Sequence, residues 1–236
     1  MSLYAIGDLH FSTLVEKPMN IFGDKWEKHE EKIISSWKYN VKEDDVVLVL
    51  GDTSWGINLT EAKPDLDIIS NLCGNKIFIK GNHDYWWTTV TNLNKLYDNM
   101  KFLQTNFYEY GEYAICGGRG WICPNDFKFD DNDEKIYKRE ENRIRLSLQA
   151  AKKKGYSKFI VITHYPPTND KLEESLFTNL YEEYGVEKVI YGHLHGKESF
   201  KMGLKGVRNG VEYILASCDY TDFNLIKIII VSNVII

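Results

Sequence analysis

The sequence predicts an α/β protein in which helices flank a mixed β-sheet or two packed sheets. Short apolar runs alternate with stretches whose apolar residues recur at helical spacing, the pattern of a layered fold. From residue 206 onward the runs are strand-like with no helix between them, which argues against a purely parallel sheet. At 236 residues the chain can bury about 70% of its unfolded surface, so the core needs no disulfide or metal staple.

Residues 3–7 read as a short buried strand. Residues 25–39 read as a helix, because Trp26, Ile33 and Trp37 fall on one stripe. Residues 45–50 carry a fully apolar strand after a charged turn. Residues 61–72 carry a helix that tolerates Pro64 only in its first turn. Residues 76–79 are strand-like and 85–97 helical. Strand-like runs follow between 102 and 116, then a charged segment, 126–154, that ends helical. Residues 159–162 and 188–191 read as buried strands on either side of a helix over 171–184. Strands over 206–208, 211–216 and 224–231 complete the β-rich end.

No repeat, low-complexity tract or Pro/Ser-rich linker divides the chain, so residues 1–236 are expected to form one domain. A hydrophobic content of 43% and a charged content of 27% exclude disordered, collagen-like and coiled-coil classes. The formal charge of −5 is opposite to that of a nonspecific nucleic-acid binder. The N-terminus enters a strand without the basic stretch, long apolar run and cleavage site of a secretory signal. The apolar tail over 225–236 is too short to span a bilayer and is interrupted by Lys227, Ser232 and Asn233, so a strand is expected there. Cys73, Cys116, Cys123 and Cys218 form no CxxC pair and read as reduced thiols. A cytoplasmic location with no membrane partner is the expectation.

Polar residues of metal-ligand type follow the buried strands at once: Gly7-Asp8-Leu9-His10, Gly51-Asp52, Gly81-Asn82-His83-Asp84, Thr163-His164-Tyr165-Pro166-Pro167 and Gly192-His193-Leu194-His195. Ligand sites of open α/β sheets lie beyond the carboxyl ends of strands, so these ends can converge on one crevice. The glycines allow tight turns and a close approach of the backbone. Imidazole with carboxylate and amide oxygen suits Mn, Fe, Zn or a mixture, without thiolate. Asp8, His10, Asp52, Asn82, His164, His193 and His195 are too many ligands for one tetrahedral ion and suit two ions that share a carboxylate. Such a pair can activate a water and stabilise both oxygens of an in-line displacement at phosphorus.

In their order, GDLH, GD, GNHD, THYPP and GHLH resemble the motifs of the calcineurin-like metallophosphoesterase superfamily, from Asp8 to His195. The resemblance implies a layered sandwich of two mixed β-sheets flanked by helices. It implies that Asp8, His10, Asp52 and His195 bind one metal and that Asp52, Asn82, His164 and His193 bind the other, with Asp52 bridging. His83 matches the family's non-ligand histidine, which stabilises the transition state or protonates the leaving oxygen. Attack on phosphorus by a metal-bridging hydroxide, without a phosphoenzyme, is also implied. Protein phosphatases of the superfamily follow the second GD with Asp-Arg-Gly, whereas this chain has Thr53-Ser54-Trp55-Gly56. The departure disfavours a phosphoprotein substrate and leaves the orientation of His83 to Asp84 or to a backbone group.

His29 shares the stripe of Trp26 and Ile33 and belongs to no motif, so it is expected to pack. Asp84 has a second reading, as the N-cap of a following helix. Trp55, Tyr85, Trp86, Trp87 and Trp121 adjoin the motifs, and packing is favoured over stacking on a base or sugar. Candidate substrate contacts are Arg119, Trp121 and Arg143. Pairing with carboxylates is the alternative for Arg119 and the favoured reading for Arg143, which shares a helix face with Arg139. The segment 119–145 is expected to cap the crevice as a lid.

The reading is a phosphoesterase with two metal ions per chain, Mn first and Fe, Zn or Mg as alternatives, acting on a small phosphomonoester or phosphodiester. A nuclease or RNA-processing role is an alternative, because a net charge does not reveal a local basic groove. A non-catalytic scaffold of the same fold would be expected to lack ligands, and none of the seven is missing.

Overall fold

Two sheets stack face to face in the computed structural model, which describes residues 1–125 and 128–230. In the first, β1 (Ser2–Ile6), β2 (Val46–Val49), β3 (Asn75–Phe78) and β4 (Met100–Phe102) run parallel, and β11 (Ile226–Ile230) lies antiparallel to β1. In the second, β6 (Tyr113–Gly118), β7 (Lys158–Thr163), β8 (Lys188–Tyr191) and β10 (Val211–Leu215) are parallel. Antiparallel β5 (Tyr108–Tyr110) and β9 (Gly206–Arg208) form its two edges. The expected sandwich of two mixed sheets is the observed fold. The last strand is expected to reach Val231, which lies outside the described residues.

Side chains alternate along each strand and so build two kinds of layer. Leu3, Ala5, Leu48 and Ile77 meet Ile115, Ile160, Ile162 and Ile190 between the sheets. On the outer face of the first sheet, Tyr4, Ile6, Val47 and Phe78 pack on α1 (His29–Asn40) and α2 (Leu59–Ser70) through Ile33, Trp37, Leu66 and Ile69. On the second, Cys116, Phe159, Val161 and Val189 pack on α4 (Asp131–Lys153) and α5 (Leu176–Tyr184). Burying strands on both faces is why they read as unbroken apolar runs.

Several helices differ from the sequence expectation for local reasons. α1 begins at His29 because Lys28 adopts a left-handed conformation (φ 54°), and Trp26 sits on a separate 3-10 turn, Asp24–Trp26. α2 begins at Leu59, capped by Asn58, whose side chain accepts from Glu61 N; Pro64 therefore lies in the second turn. The helix expected over 85–97 shrinks to α3 (Val90–Leu93), capped by Thr89. Trp86 and Trp87 are drawn into the core against Phe102 instead. α6 (Gly196–Lys201) has no counterpart in the sequence expectation.

The lid is expected over 119–145, of which 126 and 127 lie outside the described residues. From Asp131 the segment is α4, whose buried Tyr137, Glu140, Ile144, Ser147, Leu148 and Ala151 cover β6 and meet α5. Asp130 and Asp133 cap the helix reciprocally. Acidic residues in its first turn and Lys152 and Lys153 in its last suit the helix dipole. Apart from the buried Glu140, most of the charge that made the segment look like a cap lies on its outer face.

The carboxyl ends of the two sheets are stitched together. Gly7 N donates to Ala216 O (2.7 Å), Cys218 N to Gly7 O (3.0 Å) and Asp8 N to Gly51 O (3.0 Å). The loops that carry the sequence motifs therefore leave both sheets at one edge of the sandwich.

Candidate metal centre

Four of the expected ligands stand in left-handed backbone conformations: Asp8 (φ 61°), His10 (φ 48°), Asp52 (φ 49°) and His193 (φ 72°). Such conformations are uncommon outside glycine and concentrate at functional sites. The neighbouring glycines leave room for carboxylates. A Cβ on Gly81 would stand 2.0 Å from Asp52 Oδ1, and one on Gly192 would stand 2.6 Å from Asp8 Oδ2.

His164 fixes the polarity of one half of the site. Its Nδ1 is 2.9 Å from the Leu50 carbonyl, to which it donates, so Nε2 carries the lone pair. That nitrogen lies 2.7 Å from Asn82 Oδ1, 3.1 Å from His193 Nδ1 and 3.5 Å from Asp52 Oδ2. Burial lowers the His164 pKa to about 3 and takes His193 well below its ordinary value, so both rings are neutral. Acceptor atoms thus converge, and His164 Nε2 and Asn82 Oδ1 face each other with no proton between them. This donor set fits a cation.

Asp8 organises the other half. Its carboxylate accepts from His193 N, with Oδ2 at 2.9 Å, and Oδ1 stands 3.7 Å from His195 Nε2. His195 Nδ1 lies 2.9 Å from Asp219 Oδ1, and Asp219 Oδ2 accepts from Gly196 N (3.1 Å), which orients the ring. His10, kept neutral by burial, has Nε2 3.9 Å from Asp52 Oδ2. Ligand atoms of Asp8, His10 and His195 all lie within 4.8 Å of one another, as do those of Asp8, Asp52 and His164. Burial pushes Asp8 up to about 7 and also raises Asp52. Burial opposes the charged form of His195, but Asp219, Asp8 and Asp52 outweigh it and lift the ring to about 9. Two carboxylates desolvated side by side need positive charge, and here the imidazolium of His195 supplies it.

Sequence reasoning misses Asp219. It follows β10 as the other acids follow their strands, but no histidine or glycine motif marks it. Asp84 fills neither role foreseen for it. Its carboxylate accepts from the backbone N–H groups of Asp52 (2.9 Å), Thr53 (2.9 Å) and Gly81 (2.7 Å) and from Trp86 Nε1 (3.0 Å). It therefore ties the GD and GNHD loops together, and no helix starts beside it. Burial, with the like charge of Asp52, pushes its pKa up to about 7.

His83 donates its backbone N–H to Asp52 Oδ1 (2.8 Å), and its Nε2 stands 4.0 Å from Oδ2 with the ring partly exposed. Trp55 packs on His83 (4.5 Å between centroids) and stacks on His10 (4.8 Å). His29 packs as expected, with Nε2 3.2 Å from the His10 carbonyl. Arg119 and Arg143 both approach the buried Glu140, at 3.6 and 2.6 Å. Trp121 lies against Arg119 and donates from Nε1 to Asp133. None of these three lines the cavity formed by His10, Asp52, His83, His193 and His195. Among the described residues, no helix is long and apolar enough to cross a membrane.

Comparison with known proteins places this geometry in a family. The chain is 32% identical over 83 residues to an uncharacterized protein of Methanocaldococcus jannaschii, MJ1445; the aligned part is 35% of this chain and 46% of that protein. The chain thus spans about half the length of the curated relative it matches. Among solved structures, it resembles a protein of unknown function from Aquifex aeolicus, AQ665, over 96% of this chain and 95% of that one (TM-score 0.55, 19% identity). It also resembles the phosphopantetheinyl hydrolase PptH of Mycobacterium tuberculosis over 97% and 95% (TM-score 0.56, 14% identity). TT1561 of Thermus thermophilus matches over 83% and 82% (TM-score 0.54, 14% identity). At these identities the likeness shows the fold. The family profile described as calcineurin-like phosphoesterase matches residues 1–197, and the chain belongs to that family.

Proposed function

We propose that the protein is a dinuclear-metal phosphohydrolase acting on a small phosphomonoester or phosphodiester. The observation that carries this reading is the convergence of four acceptor-type atoms, His164 Nε2, Asn82 Oδ1, His193 Nδ1 and Asp52 Oδ2. One cation would be held by Asp8, His10, Asp52 and His195, and the other by Asp52, Asn82, His164 and His193, with Asp52 shared. Two such cations neutralise phosphate oxygens and make water acidic enough to serve as a nucleophile near neutral pH. Mn²⁺ suits the mixed imidazole, carboxylate and amide donors.

The chain's own groups supply the rest. Asp219 holds the Nδ1 proton of His195, so that Nε2, once a cation displaces its proton, would turn its lone pair to the site. The Leu50 carbonyl likewise holds the Nδ1 proton of His164. His83 stands at the cavity wall beside Asp52, where its ring can give a proton to the leaving oxygen; Trp55 braces it from the side. A solved structure of similar fold is itself named a hydrolase, which agrees with this chemistry.

The test is turnover of an aryl phosphate by protein stripped with chelator and reloaded with Mn²⁺, alongside elemental analysis. Metal-dependent hydrolysis with a content approaching two ions per chain is the expected result. A single-ion stoichiometry at full activity overturns the dinuclear reading, and inactivity with both ions bound overturns hydrolysis.

A further inference from the structure

The candidate metal centre forms one end of a cavity of about 460 Å³, within the range of small-molecule sites. Five further residues of its wall are apolar, many for a site expected to bind an anion: Met19, Phe22, Trp26, Trp55 and Phe200. These residues come from separate stretches that adjoin the ligand motifs. Met19 and Phe22 belong to the 3-10 turn Met19–Phe22, between the GDLH motif and α1, and Phe200 belongs to α6, directly after GHLH. Phe22 is 66% exposed and the adjoining Ile21 74%, so this turn presents apolar side chains that nothing among the described residues covers. Trp26, by contrast, is buried with its ring edge-on to His195 at 5.5 Å, so the apolar wall reaches the candidate ligands themselves.

Two lysines also line the cavity. Lys25 lies 3.6 Å from Asp222, and Lys197 has no carboxylate partner among the described residues. Positive charge there draws in a phosphate ester, but it cannot pair with an uncharged wall of aromatic and thioether side chains. That wall recovers free energy only by removing apolar surface from water. A substrate whose alcohol is itself polyhydroxylated or charged would lose hydration in this cavity and find few hydrogen-bond partners.

We propose that the protein selects phosphate esters of apolar alcohols, with the phosphoryl group at the candidate metal centre and the alkyl or aryl moiety against Phe22, Trp26 and Phe200. This inference rests on the phosphohydrolase reading and narrows its substrate class. In the reaction, the bond between phosphorus and the ester oxygen breaks. A water oxygen takes its place on phosphorus, and the alcohol leaves with a proton.

Hexyl phosphate and glycerol 3-phosphate are both esters of primary alcohols, so a difference between them reports binding of the alcohol more than leaving-group ability. With Mn²⁺-loaded protein, kcat/KM for hexyl phosphate should exceed that for glycerol 3-phosphate at least tenfold. Phe22→Ser and Phe200→Ser should each shrink that ratio several-fold. Equal turnover of the two esters, or a ratio that survives both substitutions, overturns the proposal. If neither ester nor an aryl phosphate is hydrolysed, the phosphohydrolase reading fails, and binding decides the inference separately. Hexylphosphonate should quench the tryptophan fluorescence of the Mn²⁺-loaded protein at a concentration at least tenfold below that needed for methylphosphonate. Equal affinities overturn it.

Discussion

His83 donates its backbone N–H to Asp52 Oδ1 while its ring, braced by Trp55, lines the cavity wall, so its side chain and main chain do different work. Truncating the ring leaves the backbone bond in place. His83→Ala should therefore lower kcat by about 10²–10⁴-fold, the usual worth of a general acid, without changing metal content. Loss of metal would make His83 a ligand instead. Asp219 is the converse case, a buried carboxylate at the cavity wall whose two oxygens hold the His195 ring and Gly196 N. Asp219→Asn should weaken binding of one of the two ions about 10–100-fold, with activity recovered at higher Mn²⁺ concentration. Unchanged metal affinity would remove Asp219 from the site. The difference between these residues also marks what the sequence could reveal. His83 sits inside a four-residue motif whose neighbours are all polar or Gly, whereas Asp219 follows Ala216-Ser217-Cys218, which reads as an ordinary strand end. Its role depends on β10 pairing with β8, which brings it beside His195, and that register is a long-range fact.

At the scale of elements, β1, β2, β7 and β8 were legible because they are buried on both faces and read as apolar runs, while helices were obscured wherever tertiary contacts override local periodicity. Residues 85–97 read as helical, yet Trp86 and Trp87 plug the core beside Phe102 while Asp84 ties two loops together. In α4 the many charges hid an apolar stripe, and Arg119 and Arg143 find their shared partner in Glu140 of that helix. A wall helix and a lid give opposite responses to core truncation. Ile144→Ala removes a fully buried side chain and should cost about 2–5 kcal/mol in urea unfolding, with kcat per folded molecule unchanged. A lid helix would show the reverse, little loss of stability and altered turnover.

Over the whole molecule, packing two sheets brings the ends of strands from both into one desolvated edge, and the charge there must be balanced as a unit. Without cations the balance falls to His195, which burial alone would deprotonate but which Asp219, Asp8 and Asp52 hold up to about 9. A histidine raised from about 6.5 in the unfolded chain contributes stability that is complete below pH 6.5 and is lost as pH rises toward 9. Asp8, raised to about 7, acts with the same sign, its contribution fading between about pH 4 and 7. The neutral rings of His10, His164 and His193 act oppositely, but only as pH falls below their ordinary value. Above pH 7 a single direction remains among the groups of this edge. Away from it, burial lowers Lys76 to about 8, which opposes the slope above that pH without touching the effect of His195. The urea midpoint of chelated protein should fall from pH 7 to pH 9, and His195→Gln should flatten that slope. Cations need the deprotonated ring, so the stabilisation gained on adding Mn²⁺ should grow over the same interval. A slope that persists in His195→Gln, or a gain from Mn²⁺ that shrinks as pH rises, would mean that the charge of this edge is balanced by some other group.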